Sequence, residues 1–198
     1  MKKIVFLLAL LAITSLVNAG PIFDARILGV TAVAPMAYTG TAAVNIVNGS
    51  GIDEVPGWAD YHSNEYIKMW HGWNPTPYDI TLTLPDVYTL QNMKVWNFGN
   101  TLTQGIKEVT ISFSTNGTTW NTFGNHTFAM ATSPTYFEQV NLNDITAKYI
   151  KLTGVAGNAG YTDGWYGVSE IAFYGQIPEP TTMVLISLGG LVLRRMKK

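Results

Sequence analysis

The sequence predicts an all-β protein, an antiparallel β-sandwich of about eight short strands. Two stretches, YDITLTL (78–84) and EVTISFS (108–114), alternate apolar and polar residues with the period of two that is typical of half-buried strands. Asn116-Gly117 follows the second stretch, and Asn-Gly between two strand-like runs is a strong hairpin signal. No helical periodicity of useful length appears between Gly20 and Gln176, so we expect strands to form the core.

The predicted strands follow one another with Gly, Asn and Pro between them, as expected for short strands joined by turns. In chain order they are residues 43–47, 78–84, 90–97, 108–114, 118–123, 136–142, 149–153 and 168–174. The sequence shows no internal repeat, and residues 20–176 are enough for one domain with a sizeable core.

The N-terminal segment, residues 1–19, differs from this β domain. Lys2 and Lys3 precede an almost wholly apolar run, and a small residue, Ala19, closes it. This layout is typical of a secretory signal peptide that is cleaved after Ala19. An N-terminal anchor or a core helix is the alternative, although Gly20-Pro21 would end a helix at once.

The C-terminal segment, residues 177–198, reads IPEPTTMVLISLGGLVLRRMKK. A Pro-Glu-Pro triplet precedes an apolar run, residues 183–193, which is shorter than the roughly 20 residues that a bilayer span needs, and a basic end follows. The order and spacing of these parts resemble the PEP-CTERM sorting tails of Gram-negative bacteria. The residues that carry the resemblance are Pro178, Glu179, Pro180, Arg194 and Arg195.

This resemblance implies processing by an exosortase, a membrane peptidase that cuts such tails near the triplet. It also implies export to the cell surface or extracellular matrix, with transient membrane contact through the short C-terminal hydrophobic helix. The basic end would keep the C-terminus in the cytoplasm during that contact. A permanent single-span anchor is the alternative.

Charge and cysteine content disfavour several classes of protein. Six of the 12 Lys and Arg residues lie in the two terminal segments, which leaves an acidic domain with Arg26 as its one arginine. Such a domain lacks the basic surface that nucleic-acid binding needs. The chain has no cysteine, so an exported domain would be stabilised by core burial without disulfides.

A second resemblance covers most of residues 42–175. VTISFSTNGTTW (109–120) and GVSEIAFYG (167–175) are similar to the hairpin and last strand of discoidin domains, the C-type domains of coagulation factors V and VIII. They also resemble carbohydrate-binding modules of the same galactose-binding-like superfamily. The resemblance implies a discoidin-like jelly roll that serves as a non-catalytic carbohydrate-binding or adhesion module. A structural matrix protein without a specific ligand is the alternative.

Discoidin-like modules often hold a structural calcium ion between the first loop, here NIVNGSGID (45–53), and the last strand. The resemblance carries this role to Asn48 and Glu170, with Asp53 as a candidate for a further carboxylate. Calcium needs hard oxygen ligands, and Asn48 offers a neutral oxygen where the family usually has Asp. If calcium binds, it should raise thermal stability. An ordinary Asx turn at Asn48 and a surface position for Glu170 are the alternative.

Two loop clusters, WHGWNP (70–75) and YTDGWYG (161–167), combine aromatic rings with polar side chains. Sugar recognition needs a flat ring for the apolar face of the pyranose and hydrogen-bonding groups for the hydroxyls. We therefore predict a carbohydrate site here, with surface or extracellular polysaccharide as the partner. The predicted ligand-binding residues are His71, Trp73, Asn100, Trp165 and Tyr166.

Core packing is the alternative for each tryptophan. Trp70 matches the buried Trp of discoidin domains, and Trp96 and Trp120 lie in predicted strands, so we expect these three in the core. Trp165 lies among glycines, where burial is harder to arrange, and we expect it in the loop before the last strand.

Catalytic motifs do not emerge from the sequence. The mature region has no G-x-S-x-G nucleophile motif, and its three histidines, His62, His71 and His126, do not have zinc-binding spacing. The sequence therefore favours a protein that is not an enzyme.

Overall fold

The computed structural model describes residues 26–52, 60–73, 78–162 and 164–177. The predicted signal peptide and all of the predicted sorting tail except Ile177 lie outside these residues, as does Asp53. Within the described ranges, no helix has the length and apolar character needed to cross a membrane.

Strands make up most of the regular structure of the described residues. They are β1 Thr31–Val33, β2 Tyr61–His62, β3 Trp70–Trp73, β4 Asp79–Asn97, β5 Glu108–Ser114, β6 Asn121–Thr127, β7 Thr135–Tyr136, β8 Glu138–Gly154 and β9 Trp165–Gln176. Short 3₁₀ helices occupy Ala43–Ile46, Tyr66–Lys68 and Leu102–Gln104. The main sheet has the order β3-β9-β4-β8-β5-β6, with β1 on β4, and every pair in it is antiparallel. β2 and β7 form a separate antiparallel pair.

Two long strands, β4 and β8, turn this sheet into a sandwich by bending. Residues 79–83 pair with residues 149–153, and after a register shift residues 88–95 pair with residues 138–147. The first part of β4 also pairs with β1, and its second part also pairs with β9. Each long strand therefore passes from one layer of the sandwich to the other, which confirms the predicted antiparallel β-sandwich.

The core lies between the two layers and follows the alternation in the sequence. Ile80, Leu82 and Leu84 of β4 are buried, whereas the intervening residues are exposed or half-buried. Trp70 and Trp96 are also buried, as predicted. Trp120 is half-buried and lies under the ammonium group of Lys151, 4.5 Å from its ring centroid, so the prediction of a core position is wrong for this residue.

Several predicted strand boundaries also differ. Residues 43–47 contain a 3₁₀ helix instead of a strand, because the Asn45 side chain donates hydrogen bonds to the carbonyls of Ile67 (2.8 Å) and Met69 (3.0 Å) and holds the turn. The pairs of strands predicted around the two bends are continuous strands, β4 and β8.

The predicted hairpin between β5 and β6 has a longer connection than Asn-Gly alone. Residues 115–120 join the strands, and the side-chain carbonyl of Asn116 accepts the N–H groups of Thr118 and Thr119, both at 2.9 Å. This Asx turn replaces the two-residue turn that Asn-Gly favours.

A second register shift, opposite Leu90 and Asn92, leads to a testable prediction about β8. Asn143 and Asp144 both have left-handed backbones, with φ of 53° and 57°, and β-branched residues avoid this region. Asp144→Val should therefore destabilise the protein by about 1–2 kcal/mol. Urea denaturation measures this, with Thr146→Val as the control at an exposed strand position. Equal stability of the two variants would contradict a left-handed backbone that disfavours β-branched residues at this position.

Candidate functional site

An aromatic groove lies where β3 and β9 begin to pair, with Trp73 opposite Trp165. A segment before the first 3₁₀ helix forms its other wall. The groove has a volume of about 300 Å³ and a mostly apolar lining. We use "aromatic groove" for the surface formed by Met36, Ala37, Tyr38, Trp73 and Trp165.

Hydrogen bonds to the backbone of β3 hold the 36–38 segment and the residues after it in place. The Tyr38 N–H donates to the His71 carbonyl at 2.7 Å, and the Thr41 hydroxyl lies 3.1 Å from the same carbonyl oxygen. Gly72 makes this approach feasible, because a Cβ atom there would lie 2.4 Å from the Met36 carbonyl oxygen. The position of this groove wall is therefore set by the backbone of β3.

The floor of the groove is a stack of three rings. His71 is stacked on Trp165 on one side (centroids 5.0 Å apart, planes at 19°) and on Phe98 on the other (4.7 Å, 14°). Tyr38 meets Trp165 edge to face at 5.8 Å. The stack fixes the plane of Trp165, and the Tyr38 edge closes one side of it.

His71 is buried, and its burial lowers its pKa below the ordinary histidine value. The Tyr66 hydroxyl lies 3.1 Å from Nδ1, while Nε2 has no hydrogen-bond partner within the part of the chain that the structure describes. A neutral imidazole is therefore the form that supports Trp165.

Two rings of the groove are unusually exposed. Trp73 is 53% exposed and Tyr38 is 52% exposed, and both lie beside the half-buried Trp165. Clustered aromatic rings that face solvent around a concave surface are a feature of ligand-binding sites.

The five predicted ligand-binding residues do not all lie at the groove. Trp73 and Trp165 line the groove, and His71 lies beneath it with 4% exposure. Asn100 is exposed and is not among the groove-lining residues, and its side chain donates to the Asn64 carbonyl at 3.0 Å. Tyr166 needs correction: it is buried in the core cluster against Tyr78 (4.5 Å), where a ligand does not reach it.

The 36–38 segment of the groove was not predicted from the sequence. Its sequence context, APMAYTG (34–40), has no strand alternation, and its one signal is a Met and a Tyr close to Pro35 and Gly40. The prediction that Trp165 lies in a loop is also inexact, because Trp165 is the first residue of β9.

The two predicted calcium ligands that the structure describes, Asn48 and Glu170, have partners within the protein. The Asn48 side-chain oxygen accepts the Ser50 N–H at 2.8 Å, which is an Asx turn. Glu170 is fully buried, and its oxygens bind the Arg26 guanidinium and the Gly49 N–H. In the described ranges, no cluster of three or more His, Cys, Asp or Glu side chains could hold a metal ion.

The environment of Glu170 changes its protonation. Burial raises the pKa of this carboxyl to about 7, while the Arg26 charge and the Gly49 N–H act in the opposite direction. The alternative to calcium, a surface position for Glu170, is wrong, because the side chain has 0% exposure.

The comparisons with known proteins identify the class of this domain as the discoidin-like β-sandwich. The profile of the F5/8 type C domain family matches residues 34–171, so the chain belongs to that family. A search of curated proteins gives no match.

Solved structures share the fold at low sequence identity. The family 32 carbohydrate-binding module of Clostridium perfringens NanJ, in complex with galactose, is 17% identical with a TM-score of 0.56, over 76% of this chain and 98% of that chain. A module of the same type from a C. perfringens family 31 glycoside hydrolase is 19% identical with a TM-score of 0.59, over 80% and 99%. An F5/8 type C domain from Bacteroides fragilis is 14% identical with a TM-score of 0.56, over 79% and 99%.

The buried His71 makes stability depend on pH. Because its pKa is lowered in the folded protein, the unfolded chain binds this proton first as the pH falls through about 6.5. Stability from this group is therefore present above about 6.5 and falls toward the lower folded-state pKa. The variant His71→Phe should keep the stack and lose this dependence.

The measurement is the free energy of unfolding against pH for both proteins. Glu170, with its raised pKa, contributes the opposite slope between its ordinary value of 4.5 and about 7 in both proteins, so the difference between the two curves isolates His71. Parallel curves would contradict a neutral, buried His71.

Proposed function

We propose that this domain is a non-catalytic carbohydrate-binding module of an exported cell-surface or extracellular-matrix protein. The observation that carries the proposal is the aromatic groove, in which Trp73 and Tyr38 are about half exposed beside the fixed ring of Trp165. A pyranose has an apolar face that stacks on such rings.

The solved relatives support a sugar as the ligand. The C. perfringens NanJ module is in complex with galactose, and another family 32 module is bound to GalNAc. Because their sequence identity to this chain is low, these modules share only the fold with it. The kind of ligand must therefore be argued from the groove of this protein.

Charge favours a neutral glycan over an anionic one. None of the five residues that line the groove is charged, and the single arginine of the domain, Arg26, is bound to Glu170. Ring stacking is therefore the main interaction available from the described residues, and hydroxyl recognition would come from the groove margins.

The direction of β9 suits display on a surface. The groove lies at Trp165, where β9 begins, and Arg26 pairs with Tyr174 near the other end of the strand. The 12 residues of β9 span roughly 35 Å, so both the N-terminal and the C-terminal connections leave far from the groove. A tail that tethers the protein to a membrane would leave the groove facing outward.

Export and sorting belong to the same proposal. The signal-peptide layout of residues 1–19 and the PEP-CTERM resemblance of residues 177–198 support cleavage after Ala19 and exosortase processing near Pro178-Glu179-Pro180. Mass spectrometry of the surface form from the native host should find neither terminal segment. Recovery of peptides that end at Lys198 would exclude tail removal and favour a permanent anchor.

Trp73 is the sharpest probe of carbohydrate binding. Trp73→Ala should weaken binding to the glycan selected on an array by at least about tenfold and leave the melting temperature nearly unchanged, because the ring is 53% exposed. Trp165→Ala should lower both affinity and stability, since Trp165 supports the stack with His71. Isothermal titration and melting curves measure the two effects.

The matched control is Tyr136→Ala. Tyr136 is 47% exposed on β7 and packs against Tyr61, away from the groove-lining residues, so glycan affinity should not change. Equal affinity of the wild type and Trp73→Ala would remove the groove as the site. A protein that binds no glycan on the array would favour the alternative, a structural matrix protein without a specific ligand.

A further inference from the structure

We propose that the guanidinium of Arg26 takes the structural role of a calcium ion between the first loop and β9, so that folding does not depend on calcium at this position. The proposal rests on contacts of described residues and is independent of the proposed carbohydrate function.

The guanidinium contacts oxygen atoms of the kind that a cation would bind. Its Nη2 atom lies 2.5 Å from Glu170 Oε1 and 3.3 Å from the Val47 carbonyl oxygen. The Gly49 N–H lies 3.1 Å and 3.2 Å from the two carboxylate oxygens. A carboxylate of β9 and a carbonyl of the first loop are thus joined by one positive group.

The backbone of the Arg26 segment is fixed on β9, so the guanidinium is not a freely moving surface group. The Ile27 N–H donates to the Phe173 carbonyl at 2.8 Å, and Arg26 forms a bridge with Tyr174. Gly49 has φ of 79°, and a Cβ atom there would lie 3.2 Å from Nη1 of Arg26. A glycine at this point allows the loop to close on the guanidinium.

Occupation by Arg26 and by calcium are mutually exclusive. Calcium binds six to eight oxygen atoms at about 2.3–2.6 Å, and here the carboxylate and the Val47 carbonyl are already bound by the guanidinium. A calcium ion on the same oxygens would also lie next to a like charge. Arg26 would have to leave before the metal entered.

Burial distinguishes this pair from an ordinary surface ion pair. The Glu170 side chain is 0% exposed and that of Arg26 is 24% exposed, whereas Lys151 and Asp79 are 28% and 53% exposed, with their charged atoms 4.0 Å apart. Surface pairs add little to stability, but removing one partner of a buried pair leaves an uncompensated buried charge.

The first test needs no substitution. The melting temperature of the full chain should be the same in millimolar calcium chloride and in excess EDTA. A calcium-dependent rise that disappears in Glu170→Gln would place calcium on Glu170 and overturn the proposal.

The second test is a double-mutant cycle. At pH 9, well above the pKa of about 7 of Glu170, Arg26→Met should lower the melting temperature by about 10 °C, because it leaves an ionised, buried carboxylate without a cation. Arg26→Lys should lower the melting temperature by a smaller amount. The control Lys151→Met, in a surface pair, should change the melting temperature little. The double variant Arg26→Met with Glu170→Gln should be more stable than Arg26→Met alone, since it removes the stranded charge.

The cycle also has an outcome that rejects the proposal. If the melting-temperature losses of Arg26→Met and Glu170→Gln add up in the double variant, the two groups are not coupled, and Arg26 does not act as the cation for Glu170. If Arg26→Met does not fold, Arg26→Lys and the calcium titration of the wild type still decide between the two cations.

Discussion

The antiparallel ladder between β4 and β8 is the constraint on which the rest of the structure depends. Both strands bend, and each belongs to two layers. At one end of the ladder β1 pairs with β4 and β5 pairs with β8, and at the other end β9 pairs with β4. The bend requires a break in regular pairing, which occurs between Thr83 and Tyr88. A second register shift, between Leu90 and Asn92, lies opposite the left-handed pair Asn143-Asp144. Once the ladder is fixed, burial of Ile80, Leu82 and Leu84 determines which face of the layer formed by the first part of β4 is internal.

β9 carries both one partner of the buried ion pair and part of the aromatic groove. Its middle carries Glu170, whose buried charge is matched by Arg26 and by the Gly49 N–H of the first loop. Its start carries Trp165, which is stacked on His71 of the neighbouring strand. The charged contact fixes the segment before β1 on β9, and the aromatic contact fixes the groove at the other end. The two interactions use separate residues, so each can change without the other.

The sequence predicted those features that depend on local pattern. Alternation placed the β5 strand and the first part of β4, and Asn116-Gly117 placed a turn. The prediction that Trp165 and Tyr166 both bind the ligand is wrong for Tyr166, which is buried. Neighbouring residues of a strand face opposite sides, so the exact start of β9 decides which of the two rings is external. Tyr38 and the Arg26–Glu170 contact depend on segments far apart in the chain, and single-sequence patterns carry no signal of that proximity.

The groove owes its shape to a loop that adds little to the core. Residues 36–38 are exposed, and the hydrogen bonds that attach this wall to β3 go to the backbone carbonyl of His71, which any residue type would supply. The close approach at Gly72, by contrast, requires the absence of a side chain. Substitutions at Met36 or Tyr38 can therefore change the proposed ligand surface while the backbone attachment stays intact. If the groove binds a ligand as proposed, selectivity can thus diverge at one wall, while Trp165, held by the ring of His71 and by β9, remains the common floor.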